Sequence, residues 1–186
     1  MSGAAPSGAP TDPRMAEEVL RQAQEVIKAQ LGAGSSLSAK LTTVLGQSVS
    51  LALAALGAAA IAEGRGSWLP AWAAVGLLVA GGMWGASAAI ALRGLRPNDW
   101  LPPGFEPEDI WRPEVLTPSG PAEGFLFLAA AIQENVTTNR EQNLVLARNL
   151  RRAQQWMFYA PLIGLLVSVV VLLGSECSVL TAAIGR

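Results

Sequence analysis

Histidine is absent from this sequence, cysteine occurs once, at Cys177, and charged residues are scarce. The absence of histidine removes the commonest general base and metal ligand of proteins. A single cysteine excludes both an intrachain disulfide and a cysteine-rich metal site. Charged residues make up 15% of the chain, whereas soluble domains contain roughly 25%. These shortages argue against a metal centre and against a water-soluble fold.

Recognisable catalytic and nucleotide-binding patterns are missing as well. The formal net charge is −1, so no overall positive field attracts nucleic acid. Glu134 and Glu141, with Arg140 between them, are better explained as the solvated face of a helix than as an acid–base pair. Residues 32–40 resemble a phosphate loop, but no glycine precedes Lys40. We therefore predict a protein that is not an enzyme, binds no metal or cofactor and has no nucleic-acid partner.

The sequence contains three long apolar runs. They cover residues 43–62, 68–92 and 156–174, called spans 1, 2 and 3 below. A helix needs roughly 20 apolar residues to cross the hydrocarbon of a bilayer, and each run is close to that length. Amphipathic rings, which favour the headgroup zone, stand near the ends of the runs at Trp68, Trp72, Trp156 and Tyr159. The predicted fold class is an all-α membrane protein with three transmembrane helices.

Lysine and arginine are distributed unevenly around the spans. Eleven of the 13 precede span 1 or lie between spans 2 and 3, and the other two are Arg65 and Arg186. Basic residues concentrate on the cytoplasmic side of membrane proteins. We therefore expect the N-terminus and residues 93–155 in the cytoplasm and the C-terminus outside the membrane.

The composition between the spans predicts the remaining organisation. The first residues are mostly Gly, Ala, Pro and Ser, without the apolar core of a cleaved leader. Prolines between residues 97 and 121 are too dense for a long helix. The predicted segments are a disordered tail (1–14), a cytoplasmic amphipathic helix and joint (15–42), a two-span hairpin (43–92), a Pro-rich cytoplasmic loop (93–121), a long cytoplasmic helix (122–155), span 3 (156–174) and an extracytoplasmic tail (175–186).

The N-terminal helix has a clear start and a predicted end. Asp12 is suited to the capping position and Pro13 to the first helical position. Apolar residues then recur at helical spacing up to Leu31, with charged residues beside the stripe. Gly32 predicts the end of the helix, followed by a loose joint over residues 32–38.

The long cytoplasmic helix carries apolar residues at alternating intervals of three and four, the pattern of a coiled-coil seam. Two asparagines fall on this seam, where a polar residue can fix register and oligomer state. The natural partner is the helix over residues 13–31, and the alternative is the same helix of a second chain. The seam residues are Ile132, Val136, Asn139, Asn143, Leu146 and Leu150.

Small residues recur at every fourth position of the spans and predict close helix packing in lipid. The pattern does not distinguish a partner helix in the same chain from one in another chain. The predicted packing residues are Gly46, Ser50, Ala54, Ala58 and Ala62 in span 1, Gly81, Gly85 and Ala89 in span 2, and Gly164 and Ser168 in span 3.

Polar side chains cluster at one place within the spans, at Gln47, Ser48 and Ser50. No charged residue lies in the middle of a span, where proton relays and ion pathways place them. The lack of charged residues argues against a pump, but the polar cluster leaves a channel or transport subunit with a polar path at these residues as the alternative function. Pro161, early in span 3, predicts a kink because it removes a backbone donor.

The layout resembles that of small bacterial membrane proteins of the SLATT and Pycsar-effector type. The resemblance rests on residues 38–43 (SAKLTT) opening span 1, a short Gly/Ser hairpin, and residues 131–135 (AIQEN) running into Asn143 and span 3. It implies an effector in antiphage defence that disrupts the inner membrane on a nucleotide signal, here received through a partner protein. The Ala- and Gly-rich composition is consistent with a GC-rich bacterial genome.

The sequence thus leads to one functional hypothesis. We expect a non-enzymatic protein of the bacterial inner membrane whose partners are the bilayer and either further copies of the chain or a partner protein. It would act as a membrane effector or as the membrane anchor of a larger assembly.

Overall fold

A computed structural model describes residues 12–62, 70–96 and 121–184, with side chains described as far as residue 176. Outside the described residues lie residues 1–11 of the predicted tail (1–14), the hairpin connection over 63–69, the greater part of the Pro-rich loop (97–120) and the last two residues. Pro13 and Arg14, predicted in the disordered tail, are helical.

The described chain consists of three α-helices: α1 (Pro13–Ala62), α2 (Ala71–Gly94) and α3 (Pro121–Ile184). Each contains a stretch long and apolar enough to cross a membrane. The prediction of an all-α fold with three candidate spans is therefore confirmed. The long helix before span 3 continues into that span without a break, and α3 extends beyond the predicted end of span 3 at Gly174.

The start of α1 agrees with the sequence prediction. The helix begins at Pro13, and the side-chain oxygen Oδ1 of Asp12 accepts a hydrogen bond from the backbone N–H of Arg14 at 2.9 Å. Proline suits this position because its missing N–H would have no partner in the first turn.

The predicted end of this helix at Gly32, and the joint over residues 32–38, are wrong. α1 continues as one helix of 50 residues to Ala62. A glycine inside a helix costs only about 1 kcal/mol relative to alanine. Side chains buried on both sides of Gly32, at Ile27 and Leu41, contribute more than that, since burying one such side chain is worth about 1.5–3 kcal/mol.

The described residues divide into two compact units. Unit 1 contains residues 12–36 of α1 and 121–145 of α3. Its core is formed by Ile27, Ile132 and Val136, with Leu20 and Ala23 packed against them. Both the predicted start of the amphipathic helix and the first half of the predicted seam lie in this unit.

Unit 2 contains residues 37–62 of α1, all of α2 and residues 146–184 of α3. On α1, buried residues recur at intervals of three or four. On α2, the buried residues include Ala80, Ser87 and Ala91. The buried positions of α1 in this unit are Leu41, Val44, Ser48, Ala52, Ala55 and Ala59. The side chains facing away from the core are large and apolar, for example Leu53 and Leu165, which are 66% and 64% exposed.

Candidate functional site

A buried chain of hydrogen bonds joins the three helices of unit 2. The hydroxyl oxygens of Ser48 on α1 and Ser87 on α2 lie 2.9 Å apart, and the Ser87 hydroxyl donates to the backbone carbonyl of Ala153 on α3 at 2.7 Å. A hydroxyl has one proton to donate. Since that of Ser87 goes to a carbonyl, Ser48 must donate to Ser87. Both serine side chains are fully buried, and these two hydrogen bonds give each hydroxyl group an acceptor for its proton.

A second polar contact lies where Pro161 interrupts α3. Proline has no N–H, so the carbonyl of the residue four positions earlier loses its helical donor. That residue is Met157, and its carbonyl accepts a hydrogen bond from the indole Nε1–H of Trp84 on α2 at 3.0 Å. Trp84 therefore satisfies the acceptor that Pro161 leaves free. Helix continuity through Pro161 is observed, whereas the kink stays a prediction.

A close approach between two helices lies at Gly76 of α2. A Cβ atom added to Gly76 would overlap the Ser168 side chain and the Gly164 carbonyl oxygen. A Cβ atom added to Gly164 would lie 2.7 Å from the Gly76 carbonyl oxygen and 3.0 Å from the Ala80 Cβ atom. The backbones of α2 and α3 are thus in contact here, which only glycine on both helices permits.

The structure brings some of the predicted packing residues together and leaves others apart. Gly164 and Ser168 lie in the contact with Gly76, and a Cβ atom added to Gly81 would lie 3.3 Å from Leu56 of α1. The rest of the predicted set contributes little to the core. Exposed on the surface of unit 2 are Gly46, Ser50, Ala54, Gly85 and Ala89, while Ala58 and Ala62 are half-buried.

The three polar residues that the sequence groups in span 1 lie partly in the core and partly on the surface. Ser48 faces the core, whereas Gln47 and Ser50 are exposed and line an open groove of about 660 Å³. Within one chain, the three side chains do not face a common path. The residues lining the groove are Gly46, Gln47, Ser50 and Leu51 of α1, Trp84 of α2, and Met157, Phe158 and Pro161 of α3.

The part of the predicted α3 seam that lies in unit 1 packs against α1 of the same chain. Ile132 and Val136 lie in the core with Ile27, Asn139 is fully buried, and the Asn143 side-chain amide donates to the backbone carbonyl of Gln30 at 3.0 Å. The other two seam residues, Leu146 and Leu150, are buried in unit 2. This pairing is with the helix of the same chain, and pairing with a second chain stays a prediction.

The outer face of α1 in unit 1 is solvated and charged. Arg21 forms ion pairs with Glu18 at 2.6 Å and with Glu25 at 2.7 Å. The hydrogen bond from Arg21 holds the pKa of Glu18 below its usual value, and the same hydrogen bond raises the pKa of Arg21. These are exposed pairs at helical spacing, where solvent and salt screen the attraction, so they contribute little to stability. They do not form a catalytic site.

A metal site requires several acidic, cysteine or histidine side chains close together. Across residues 12–62, 70–96 and 121–176, no cluster of three or more acidic or cysteine side chains is suitably placed to hold a metal ion. The arrangement on α1, α2 and α3 is one of packing and hydrogen bonding between helices. The open groove at Gln47 and Ser50 lies beside these contacts.

Three functional residues were not singled out from the sequence: Gly76, Trp84 and Ser87. A signal for Ser87 was present, because a lone serine in an apolar span needs a hydrogen-bond partner. A donor for the Met157 carbonyl was also implied by Pro161. Neither pattern names the partner residue, which depends on how the helices pack.

No known family model, no curated protein and no solved structure matches this chain.

Proposed function

We propose that this chain is a non-enzymatic integral membrane protein of a bacterial inner membrane that assembles into oligomers. In that membrane it acts as an effector on bilayer integrity or as the anchor of a larger assembly. The observation that carries the proposal is the outer surface of unit 2, where large apolar side chains are exposed on all three helices. They include Leu53, Ile61, Leu78, Leu92, Phe158, Leu162, Leu165 and Leu166. Water-soluble monomers rarely expose such continuous apolar surface, whereas acyl chains solvate it.

The proposed orientation follows from the basic residues. With the N-terminus in the cytoplasm, three crossings place the C-terminus outside, in agreement with the excess of lysine and arginine before span 1 and between spans 2 and 3. Protease added to spheroplasts is expected to remove an epitope fused after Arg186 and to spare one fused before Met1. Inverted vesicles are expected to give the opposite result. Loss of the C-terminal epitope only in inverted vesicles would contradict this orientation.

The proposed oligomer contact is on α2. Gly82, Gly85 and Ala89 lie on one exposed face, and a Cβ atom added to either glycine would meet nothing within 4 Å. This face therefore has no partner among the described residues, and small residues allow a helix of a second copy to approach closely.

Gly85→Leu is expected to weaken self-association in nanodiscs or mild detergent at least about tenfold, or about 1.4 kcal/mol, as measured by mass photometry. The fold of the single chain should persist, because the new side chain points into open space. Gly57→Leu is the matched control, since Gly57 on α1 is equally exposed and open. A wild-type protein that stays monomeric at all concentrations would contradict the oligomer proposal.

The effector and anchor roles are separated by a leakage measurement. Vesicles loaded with a self-quenched dye are expected to leak when an effector oligomer is reconstituted, and Gly85→Leu should reduce the leakage in proportion to the loss of oligomer. Intact vesicles around a stable oligomer would favour the anchor. The resemblance to SLATT and Pycsar-type proteins supports the effector, with antiphage defence as its setting.

A further inference from the structure

The basic residues of unit 2 gather at one end of its helices. A Cβ atom added to Gly94 would lie 3.0 Å from Leu41 Cδ1 and 3.2 Å from Asn149 Cβ, so α1, α2 and α3 reach the same level at these residues. Every lysine and arginine described in unit 2 is next to this level or within one turn of it. These residues are Lys40, Arg93, Arg96, Arg148, Arg151 and Arg152.

Within the part of unit 2 that the structure describes, no acidic residue lies at this end. Among the described residues of unit 2, the one acidic residue is Glu176, near the far end of α3. Lys40, Arg93, Arg96, Arg151 and Arg152 are all exposed. Clusters of four to eight basic residues beside a membrane span attract anionic lipid headgroups, at about 1 kcal/mol for each residue near the surface. Neither α1, α2 nor α3 alone carries that many in this unit, so the cluster exists only in the folded bundle.

The open groove begins about two helical turns from two of these basic residues, on the same helix faces. Lys40 precedes Gln47 by seven residues on α1, and Arg151 precedes Phe158 by seven residues on α3. Seven residues are close to two helical turns, so each pair lies on one face of its helix and about 10 Å apart along the axis. Moving into the span along α1, the order is therefore Lys40, then the polar side chains of Gln47 and Ser50, then Leu51. Along α3 it is Arg151, then Phe158 and Pro161.

This order matches the parts of a phospholipid: an anionic phosphate, ester carbonyls that accept hydrogen bonds, and an apolar acyl chain. We propose that the groove binds one anionic phospholipid, with Lys40 and Arg151 at the phosphate, the Gln47 amide at the ester level and an acyl chain along Leu51 and Phe158. The site rests on the proposed membrane insertion of unit 2 and adds to it a specific lipid partner. A groove volume of about 660 Å³ is within the roughly 300–1,000 Å³ of ligand pockets.

The experiment compares lipid binding by two variants of equal charge. The full chain is purified in mild detergent and titrated with phosphatidylglycerol or phosphatidylcholine, and bound lipid is counted by native mass spectrometry. Wild type is expected to bind one phosphatidylglycerol in preference to phosphatidylcholine. Lys40→Gln with Arg151→Gln should weaken that binding roughly 30-fold, the effect of two basic contacts. The matched control, Arg93→Gln with Arg96→Gln, removes the same charge on α2 and should retain most of the affinity.

Ser50→Phe provides an independent test, because it fills the groove and leaves all charges unchanged. It should also weaken binding of phosphatidylglycerol. Equal losses in both charge variants would mean a diffuse electrostatic surface and would overturn the site. Binding of inorganic phosphate or glycerol phosphate as tight as that of phosphatidylglycerol would overturn the lipid site and leave an anion site. A lipid-free dimer crosslinked through a cysteine at position 47 would overturn it too, because the groove would then hold a second copy. Extraction of the chain from membranes by alkaline carbonate would instead contradict the proposed membrane insertion, a separate result from failure of the lipid site.

Discussion

Gly76→Val is expected to destabilise unit 2 by about 3 kcal/mol, at the upper end of the usual range for overpacked cores. Any Cβ atom at this position overlaps both the Ser168 side chain and the Gly164 carbonyl oxygen. The side chain can rotate, but the carbonyl belongs to the backbone of α3 and can move only with the helix. The expected result is separation of α2 from α3 rather than a local adjustment.

The measurement is reversible unfolding in mixed micelles of mild detergent and dodecyl sulfate, followed by tryptophan fluorescence. Gly82→Val is the matched control: it introduces the same residue on the same helix, where an added Cβ atom meets nothing within 4 Å. Combining Gly76→Val with Ser168→Gly should recover only part of the loss, because the Gly164 carbonyl remains. Equal stability of the two valine variants would show that α2 and α3 do not cross at Gly76.

Trp84→Phe is expected to cost about 1 kcal/mol, the lower end of the penalty for leaving an acceptor without a donor, because this contact is partly buried. Phenylalanine keeps an aromatic ring but has no N–H for the Met157 carbonyl. That carbonyl has no helical donor of its own, since residue 161 is proline. Water is scarce in the hydrocarbon of a bilayer, so the lost hydrogen bond is not replaced from solvent.

Pro161→Ala should remove most of this cost. Alanine at position 161 supplies the backbone N–H that completes the hydrogen bond to Met157 within α3. In the Pro161→Ala background, Trp84→Phe is therefore expected to cost up to about 1 kcal/mol less than in the wild type, a coupling measured by a double-mutant cycle. Trp72→Phe, the same change elsewhere on α2, should show no such coupling. Additive effects of Trp84→Phe and Pro161→Ala would mean that the indole does not serve the carbonyl freed by proline.

Both expected results depend on close packing and hydrogen bonding between helices, which also bear on the proposed function. Unit 2 is held together by close backbone contact at Gly76 and by hydrogen bonds at Ser87 and Trp84. In lipid, helices gain little from burying apolar surface against one another, so packing and hydrogen bonds supply the association energy. A bundle of this kind presents its large apolar side chains outward, as observed for Leu53 and Leu165.

The predicted end of the first helix illustrates how local signals are overridden. Glycine is the residue most typical of a helix end, and the sequence within a few residues of Gly32 does not indicate that the helix continues. α1 continues because its buried and half-buried positions recur at intervals of three and four on both sides of the glycine. Tertiary packing routinely exceeds the small local cost of one glycine.

The small-residue pattern shows a different limit. Gly164, Ser168 and Gly81 lie in close contacts between helices, whereas Gly46, Gly85 and Ala89, chosen by the same spacing, are exposed. Four-residue spacing identifies a face that permits close approach, but it does not say which face meets another helix. Gly76, where an added Cβ atom would overlap α3, lies outside the predicted set.

The sequence by itself determined the all-α fold, the three apolar stretches and the start of the first helix at Pro13, because hydropathy, helical period and capping are properties of neighbouring residues. It also identified the α3 seam, whose residues are buried or half-buried. Only the tertiary structure decided which polar groups meet, such as Ser48 with Ser87 and Trp84 with the Met157 carbonyl. Those pairs are 39 and 73 residues apart in the chain. Their contact depends on the rotation and register of packed helices, which the pattern within each helix does not fix.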